Sequence, residues 1–270
     1  MYPPSLSEQN MIKRLIVLLL IMQSSFISAC DRDVQIAYPP FVSLLTVSKF
    51  FSHFHQQLAS EMDCRVNYVL NKSFDDVLDG LLEYRYNAVL LPGEYISMAT
   101  ELGYELVSTL QRNNSIFIIA KKDFKGEEFT DYAGLNVLIL DHFSASGARF
   151  EQALLDSGMH SKVTLLEGQS YERMMLSVMA GKADLAVIIP EYWALLSPDI
   201  RDKHLKIVKK MRSLSAGFVV PPDSLKFSKV LYQVLKNETV FTWGEPEIET
   251  EHLPLLDKYI KNRISETLGQ

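Results

Sequence analysis

Two cysteines are all that the 270 residues contain, and no glycine motif for cradling phosphate or a dinucleotide is present. The nearest candidate, "GKAD" at 181–184, lacks the upstream glycine and the Ser or Thr after lysine that a P-loop needs. No nucleophile sits beside a base, and no carboxylate pair or metal cluster can be read, so neither an enzyme nor a cofactor is expected. His53 and His55 are two apart on a predicted helix and face different ways. His160, His204 and His252 have no ligand-spaced neighbours. Positive charge is also in deficit: the formal net charge is −6, which argues against nucleic acid as partner. With 47% hydrophobic and 22% charged residues, a disordered or fibrous chain is excluded.

A long apolar run is missing too. The best, "LIVLLLIM" at 15–22, is far too short to span a bilayer as a mature helix. It follows Lys13 and Arg14, so residues 1–29 read as an export signal with a basic start and an apolar middle. The signal closes on "ISAC" at 27–30, which resembles the bacterial lipobox, with ordinary cleavage near Ala29 as the alternative. The resemblance implies that Cys30 is lipidated and becomes the first mature residue, anchoring the protein to a membrane. Only Cys64 then remains, so no intramolecular disulfide is expected. Asp31 resembles the sorting signal that keeps some Gram-negative lipoproteins in the inner membrane. Met11 is an alternative start.

What is present in quantity is a repeat. "SFDDVLDGLLEYRYNAVLLPGEY" (73–95) aligns without a gap on "SYERMMLSVMAGKADLAVIIPEY" (170–192), 97 residues later. In each copy apolar residues at helical spacing give way to a continuous apolar run, which predicts an amphipathic helix feeding a buried strand. Further strands are expected at 34–37, 66–70, 116–120, 136–140, 163–166 and 217–220, and helices at 41–61, 148–155, 225–236 and 251–268. The alternation predicts an α/β protein with mostly parallel sheets flanked by helices. In such sheets ligands sit beyond the carboxyl ends of the strands. Both copies end there on a Glu-Tyr pair, Glu94–Tyr95 and Glu191–Tyr192. The plain alternative is that proline, an acid and an aromatic make a serviceable strand exit.

A second motif, "DHFSASGARF" (141–150), follows the apolar strand "NVLIL" and opens a helix. Unpaired N–H groups and the positive end of the helix dipole favour a negative oxygen at such a start. Ser144 and Ser146, with the backbone of Ala145 and Gly147, are the candidate contacts; the simpler reading is a capping serine. His142 adjoins this motif, and Trp193 follows the second Glu-Tyr pair as a possible wall.

These residues carry a family resemblance. From "VQIAYPP" through "YNAVLLPGEYISMA" and "YAGLNVLILDHFSASGARF" to "GQSYERMMLSVMAGKADLAVI", the chain resembles the phosphate, phosphite and phosphonate binding proteins of bacterial ABC importers. The resemblance implies a two-lobe type II periplasmic binding protein, with residues 30–113 and 217–270 in one lobe and 114–216 in the other. Two hinge segments would cross near 112–116 and 212–217. It implies a small, anionic or oxygen-rich ligand and, as partner, an ABC permease or else a membrane sensor on the periplasmic side. Tyr38, Tyr95 and the start Ser144, Ala145, Ser146 and Gly147 match the family's ligand-facing positions. Glu172 matches an acidic position that meets a ligand amine. Tyr171 stands where relatives often have histidine, and Glu191 is a further candidate for a cationic end. Ala145 replaces a hydroxyl residue, which removes one donor.

Overall fold

The computed structural model describes residues 33–270 apart from 112, 113, 252 and 270. The export signal, Cys30, Asp31 and Arg112 therefore lie outside the described residues. The chain first forms β1 (Val34–Tyr38), α1 (Leu44–Phe50), α2 (Ser52–Met62), β2 (Val66–Leu70), α3 (Phe74–Leu82), β3 (Ala88–Leu91), α4 (Gly93–Glu101) and β4 (Glu105–Leu110). It continues through β5 (Ser115–Lys121), β6 (Asn136–Ile139), α5 (Ala145–Asp156), β7 (Thr164–Glu167), α6 (Tyr171–Met179), β8 (Leu185–Ile188), α7 (Pro190–Leu195), α8 (Pro198–His204) and β9 (Leu205–Arg212). Last come β10 (Gly217–Val220), α9 (Leu225–Lys236), β11 (Trp243–Gly244) and α10 (Pro254–Leu268).

The strands form two sheets, in the orders β11-β4-β10-β3-β1-β2 and β7-β6-β8-β5-β9. The α/β two-lobe architecture expected from the sequence is therefore present. Parallel pairing is confined to β1 with β2 and β3, and to β6 with β7 and β8. Strands next to the crossings run the other way: β10 is antiparallel to β3 and β4, and β5 to β8 and β9. Both sheets are therefore mixed.

The continuous apolar runs are explained by burial on both faces. In β3, Val89 and Leu91 join the core built from α3, α4 and α10, while Ala88 and Leu90 point into the core of α2 and α9. In β8, Leu185 and Val187 pack on Phe150 and Leu154 of α5, and Ala186 and Ile188 on Met174 and Met175 of α6. Alternate residues serve opposite cores because successive side chains leave a strand on opposite faces.

The repeat is structural. α3 and α6 start and end at matched positions, as do β3 and β8. The matched serines both cap: Ser73 Oγ accepts from Asp76 N at 3.2 Å, and Ser170 Oγ from Arg173 N at 3.3 Å. The matched Asn87 and Asp184 also act alike. Asn87 Oδ1 accepts from Gln35 N in β1, and Asp184 Oδ2 from Asn136 N in β6, which ties each copy to the parallel neighbour of its strand.

Three expectations need correction. The helix expected at 41–61 is two helices, because Phe51 leaves helical geometry (φ −120°, ψ 1°) and packs its ring on Tyr38 and Phe241. Strand β9 went unread because Lys206, Lys209, Lys210 and Arg212 make it look like solvated loop. It lies at a sheet edge, where charged side chains discourage pairing with another chain. Cys64 is disulfide-bonded, against the expectation of no disulfide; the other cysteine in the sequence, Cys30, lies outside the described residues. No helix among the described residues is long and apolar enough to cross a membrane.

Candidate functional site

The segments leaving β1, β3, β6 and β8 meet around a cavity of about 130 Å³, lined on its remaining side by residues 114–116 and by Ser213, Leu214 and Ala216 next to the crossings. This is where carboxyl ends of strands from both sheets come together. Of the residues expected at the site, Ala145, Ser146, Tyr171 and Glu191 line this cavity. Tyr38, Tyr95, Ser144, Gly147 and Glu172 do not.

The helix start at α5 is organised around its own loop. Ser144 Oγ donates to the Asp141 carbonyl at 2.8 Å and accepts from Gly147 N at 3.0 Å, so it is the capping serine. Asp141 Oδ1 accepts from the N–H groups of Phe143 and Ser144, at 2.7 and 2.5 Å. Gly147 is required by close approach: a Cβ there would fall on the Asp141 carbonyl oxygen. Ser146 Oγ shares a hydrogen bond of 2.9 Å with the Tyr171 hydroxyl, and both are buried. Burial pushes the Tyr171 phenol well up, so it stays protonated.

Tyr38 belongs to the core. Its hydroxyl meets His55 Nε2 at 2.8 Å and its ring packs on Phe51. Burial raises the Tyr38 phenol and pushes His55 down to about 4, leaving a neutral pair at neutral pH. Glu172 is half-buried in the first turn of α6, away from the cavity wall. His142 does not line the cavity either; its Nδ1 meets Glu151 Oε2 at 2.9 Å, while His160 holds the other oxygen. Trp193 lies under the Arg201 guanidinium.

The tyrosines of the two Glu-Tyr pairs reach across the cleft in opposite directions. Tyr95, in α4 of the first lobe, donates to the Phe143 carbonyl of the second at 2.5 Å. Tyr192, in α7 of the second lobe, donates to the Phe41 carbonyl of the first at 2.7 Å. The acceptors lie one and two residues before the serines that cap the opposite lobe's cleft-side helices, Phe143 before Ser144 of α5 and Phe41 before Ser43 of α1. Phe143 also stacks on Tyr259 of α10, with ring centroids 3.5 Å apart. The matched tyrosines thus clasp the lobes together. Tyr95→Phe and Tyr192→Phe are each expected to cost about 0.5–1.5 kcal/mol. Together they should enlarge the ligand-free radius of gyration in small-angle scattering; an unchanged radius would remove the clasp.

Sequence reasoning missed the second tie between the lobes. Arg149 of α5, 5% exposed, inserts Nε against Glu94 Oε1 and Nη1 against Glu251 Oε2 at 2.9 Å. Glu94 Oε1 also accepts from Ser213 Oγ and Leu214 N. Burial alone would lower the Arg149 pKa, but the two carboxylates outweigh it and hold the guanidinium charged. An arginine in the helical stripe of α5 gives no sequence signal of this role, because its partners are 55 and 102 residues away. The apolar walls were missed as well: Phe41, Phe50, Phe241 and Trp243 line the cavity.

A family model described as "ABC transporter, phosphonate, periplasmic substrate-binding protein" matches residues 36–237. No curated protein matches the chain. Among solved structures, PhnD1 from Prochlorococcus marinus in complex with methylphosphonate superposes with a TM-score of 0.67 at 14% identity, over 87% of this chain and 98% of that one. A binding protein component of an ABC phosphonate transporter from Pseudomonas aeruginosa gives 0.64 at 14% identity, over 88% and 89%. The BvgS VFT2 domain of Bordetella pertussis gives 0.53 at 12% identity, over 86% and 92%. At these identities the superpositions speak to the fold alone.

Proposed function

The chain belongs to the periplasmic substrate-binding proteins of phosphonate ABC transporters, and from that premise we propose that it closes two lobes on a small solute and presents the closed form to a membrane permease. Binding, not turnover, is the task of this family. The observation that carries the reading is the cavity itself, which takes its walls from both sheets and from both sides of the crossings. Ala145, Ser146 and Tyr171 offer hydroxyl and backbone groups from the second lobe, and Glu191 a carboxylate. Ser144 and Gly147 hold the start of α5 behind them, while Tyr38, Tyr95 and Glu172 stand outside the cavity lining. A ligand bridging the lobes supplies closing free energy through its differential affinity for the shut state. The first lobe is taken as residues 30–113 and 217–270 and the second as 114–216, in keeping with the strands of each sheet. A membrane signalling receptor as partner is the alternative; family membership favours the permease.

The test is a thermal-shift screen of the purified protein against phosphate, phosphite, phosphonates, amino-phosphonates, sulfonates, and small aromatic acids and amines. A ligand at 100 times its Kd stabilises by about 2.7 kcal/mol. A hit supports solute binding, and silence across the panel counts against it.

The lipid anchor at Cys30, on the periplasmic side of the inner membrane by the reading of Asp31, rests on the lipobox. With two cysteines in the chain, a lipidated Cys30 and an intrachain disulfide of Cys64 exclude one another. Cys30→Ser is expected to release the protein from membranes; an intact mass showing an oxidised, unlipidated chain would overturn the anchor.

A further inference from the structure

We infer that the solute is a single-ring aromatic acid that carries a second hydrogen-bond acceptor on its ring; this rests on the solute-binding reading above and narrows its ligand. The walls call for the ring. Phe41, Tyr171 and Tyr192 form one group of touching rings, with centroids 5.8 and 4.7 Å apart along the series. Phe50, Phe241 and Trp243 form another, at 5.9 and 6.4 Å. Both groups line the cavity, and a flat apolar body set against them extends the ring contacts that aromatic side chains favour. The volume of about 130 Å³ compares with the roughly 150 Å³ of an apolar cavity that accepts benzene, so one ring is the limit.

Donors on the two lobes define the polar groups of that solute. In the second lobe, the N–H groups of Ala145 and Ser146 are the first two of α5, and helix geometry gives them no acceptor within the helix. The Ser144 hydroxyl caps Gly147 N instead. Both residues line the cavity, and free N–H groups at the positive end of a helix dipole favour an acidic oxygen. The carboxylates in the lining have their own support: Glu94 is matched by Arg149, and Glu191 lies in the first turn of α7, where negative charge is favoured. In the first lobe, Trp243 is 8% exposed, and its indole N–H is buried without an acceptor among the described residues. A donor shut away from water and left unmatched is unfavourable. Trp243 lines the same cavity, so an acceptor on the ring of the solute would satisfy it. A site with such a donor discriminates against an analogue that lacks the acceptor.

Acetate, benzoate and the three pyridine carboxylates separate these contributions. Calorimetric titration of the purified protein should show benzoate binding about tenfold or more tighter than acetate, the effect of burying a ring. At least one pyridine carboxylate, whose ring nitrogen accepts where benzoate has a C–H, should exceed benzoate by about threefold or more. Trp243→Phe keeps a ring in the wall and removes the N–H, so it should erase that difference between the pyridine acid and benzoate. A difference that survives in the folded variant overturns the role of Trp243. Acetate binding as tightly as benzoate, or no pyridine carboxylate exceeding benzoate, overturns the assignment. Silence from all of them with a hit elsewhere in the wider screen removes the ring acid and leaves solute binding standing; silence throughout removes both. Should the Trp243 variant fail to fold, the comparisons on the unmodified protein decide alone.

Discussion

Arg149→Met is expected to lower the free energy of unfolding by about 3–5 kcal/mol, the usual cost of breaking a buried ion pair from one side. Methionine fills much of the same volume, so the loss comes from charge. It strands Glu94, whose side chain is 2% exposed, with only the Ser213 hydroxyl and the Leu214 N–H to hold its oxygen. Glu251 is less affected, because its side chain is 45% exposed and water can replace the arginine. The measurement is a urea unfolding curve at neutral pH. Arg149→Met with Glu94→Gln should recover part of the loss, since removing both charges spares the desolvation cost. A single-variant loss below about 1 kcal/mol would mean the pair is solvated. The pair ties α5 of the second lobe to α4 of the first, so the same variant should also open the ligand-free protein in solution.

The next largest effect belongs to a single methyl group. Gly147→Ala places a Cβ on the Asp141 backbone carbonyl and close to Ser144 Oγ, and neither can swing away as a long side chain would. Either the loop lifts off α5 or the helix start unwinds. Overpacking of this kind costs about 1–3 kcal/mol. The Ser144 cap is strained in the same movement, at about 1 kcal/mol, for a total of about 2–4 kcal/mol. Because Ala145 and Ser146 line the cavity, ligand affinity should fall alongside stability. A variant that keeps its melting temperature but loses affinity would show that the loop yields and the helix holds; one that keeps both would remove the close approach from the account.

Much of the architecture was legible because burial on both faces writes itself as uninterrupted apolar residues. β3 and β8 could be placed from "AVLL" and "LAVI" alone, and the repeat gave their helices without help from the sheet. Strand β9 was not legible, since its four cations answer to an edge position that only the assembled sheet defines. The break at Phe51 was hidden for a similar reason. "LLTVSKFFSHFHQQLASEM" is a passable helix throughout, and it is the packing of the Phe51 ring on Tyr38 and Phe241 that interrupts it.

The site divides along the same line. The sequence by itself determined that two matched helix-strand units end on Glu-Tyr pairs at a ligand-bearing edge, and that a serine-glycine helix start faces the same edge. Both are local patterns, set by spacing along the chain. Only the tertiary structure decided what those groups do. Ser144 caps, Tyr95 and Tyr192 clasp the opposite lobe, Glu94 holds Arg149, and the cavity is left to aromatic walls. A hydroxyl or a carboxylate looks the same in sequence whether it meets a ligand or another part of the protein. Its partner is chosen by contacts between residues as far apart as Phe41 and Tyr192, and such contacts exist only once the two sheets have closed on each other.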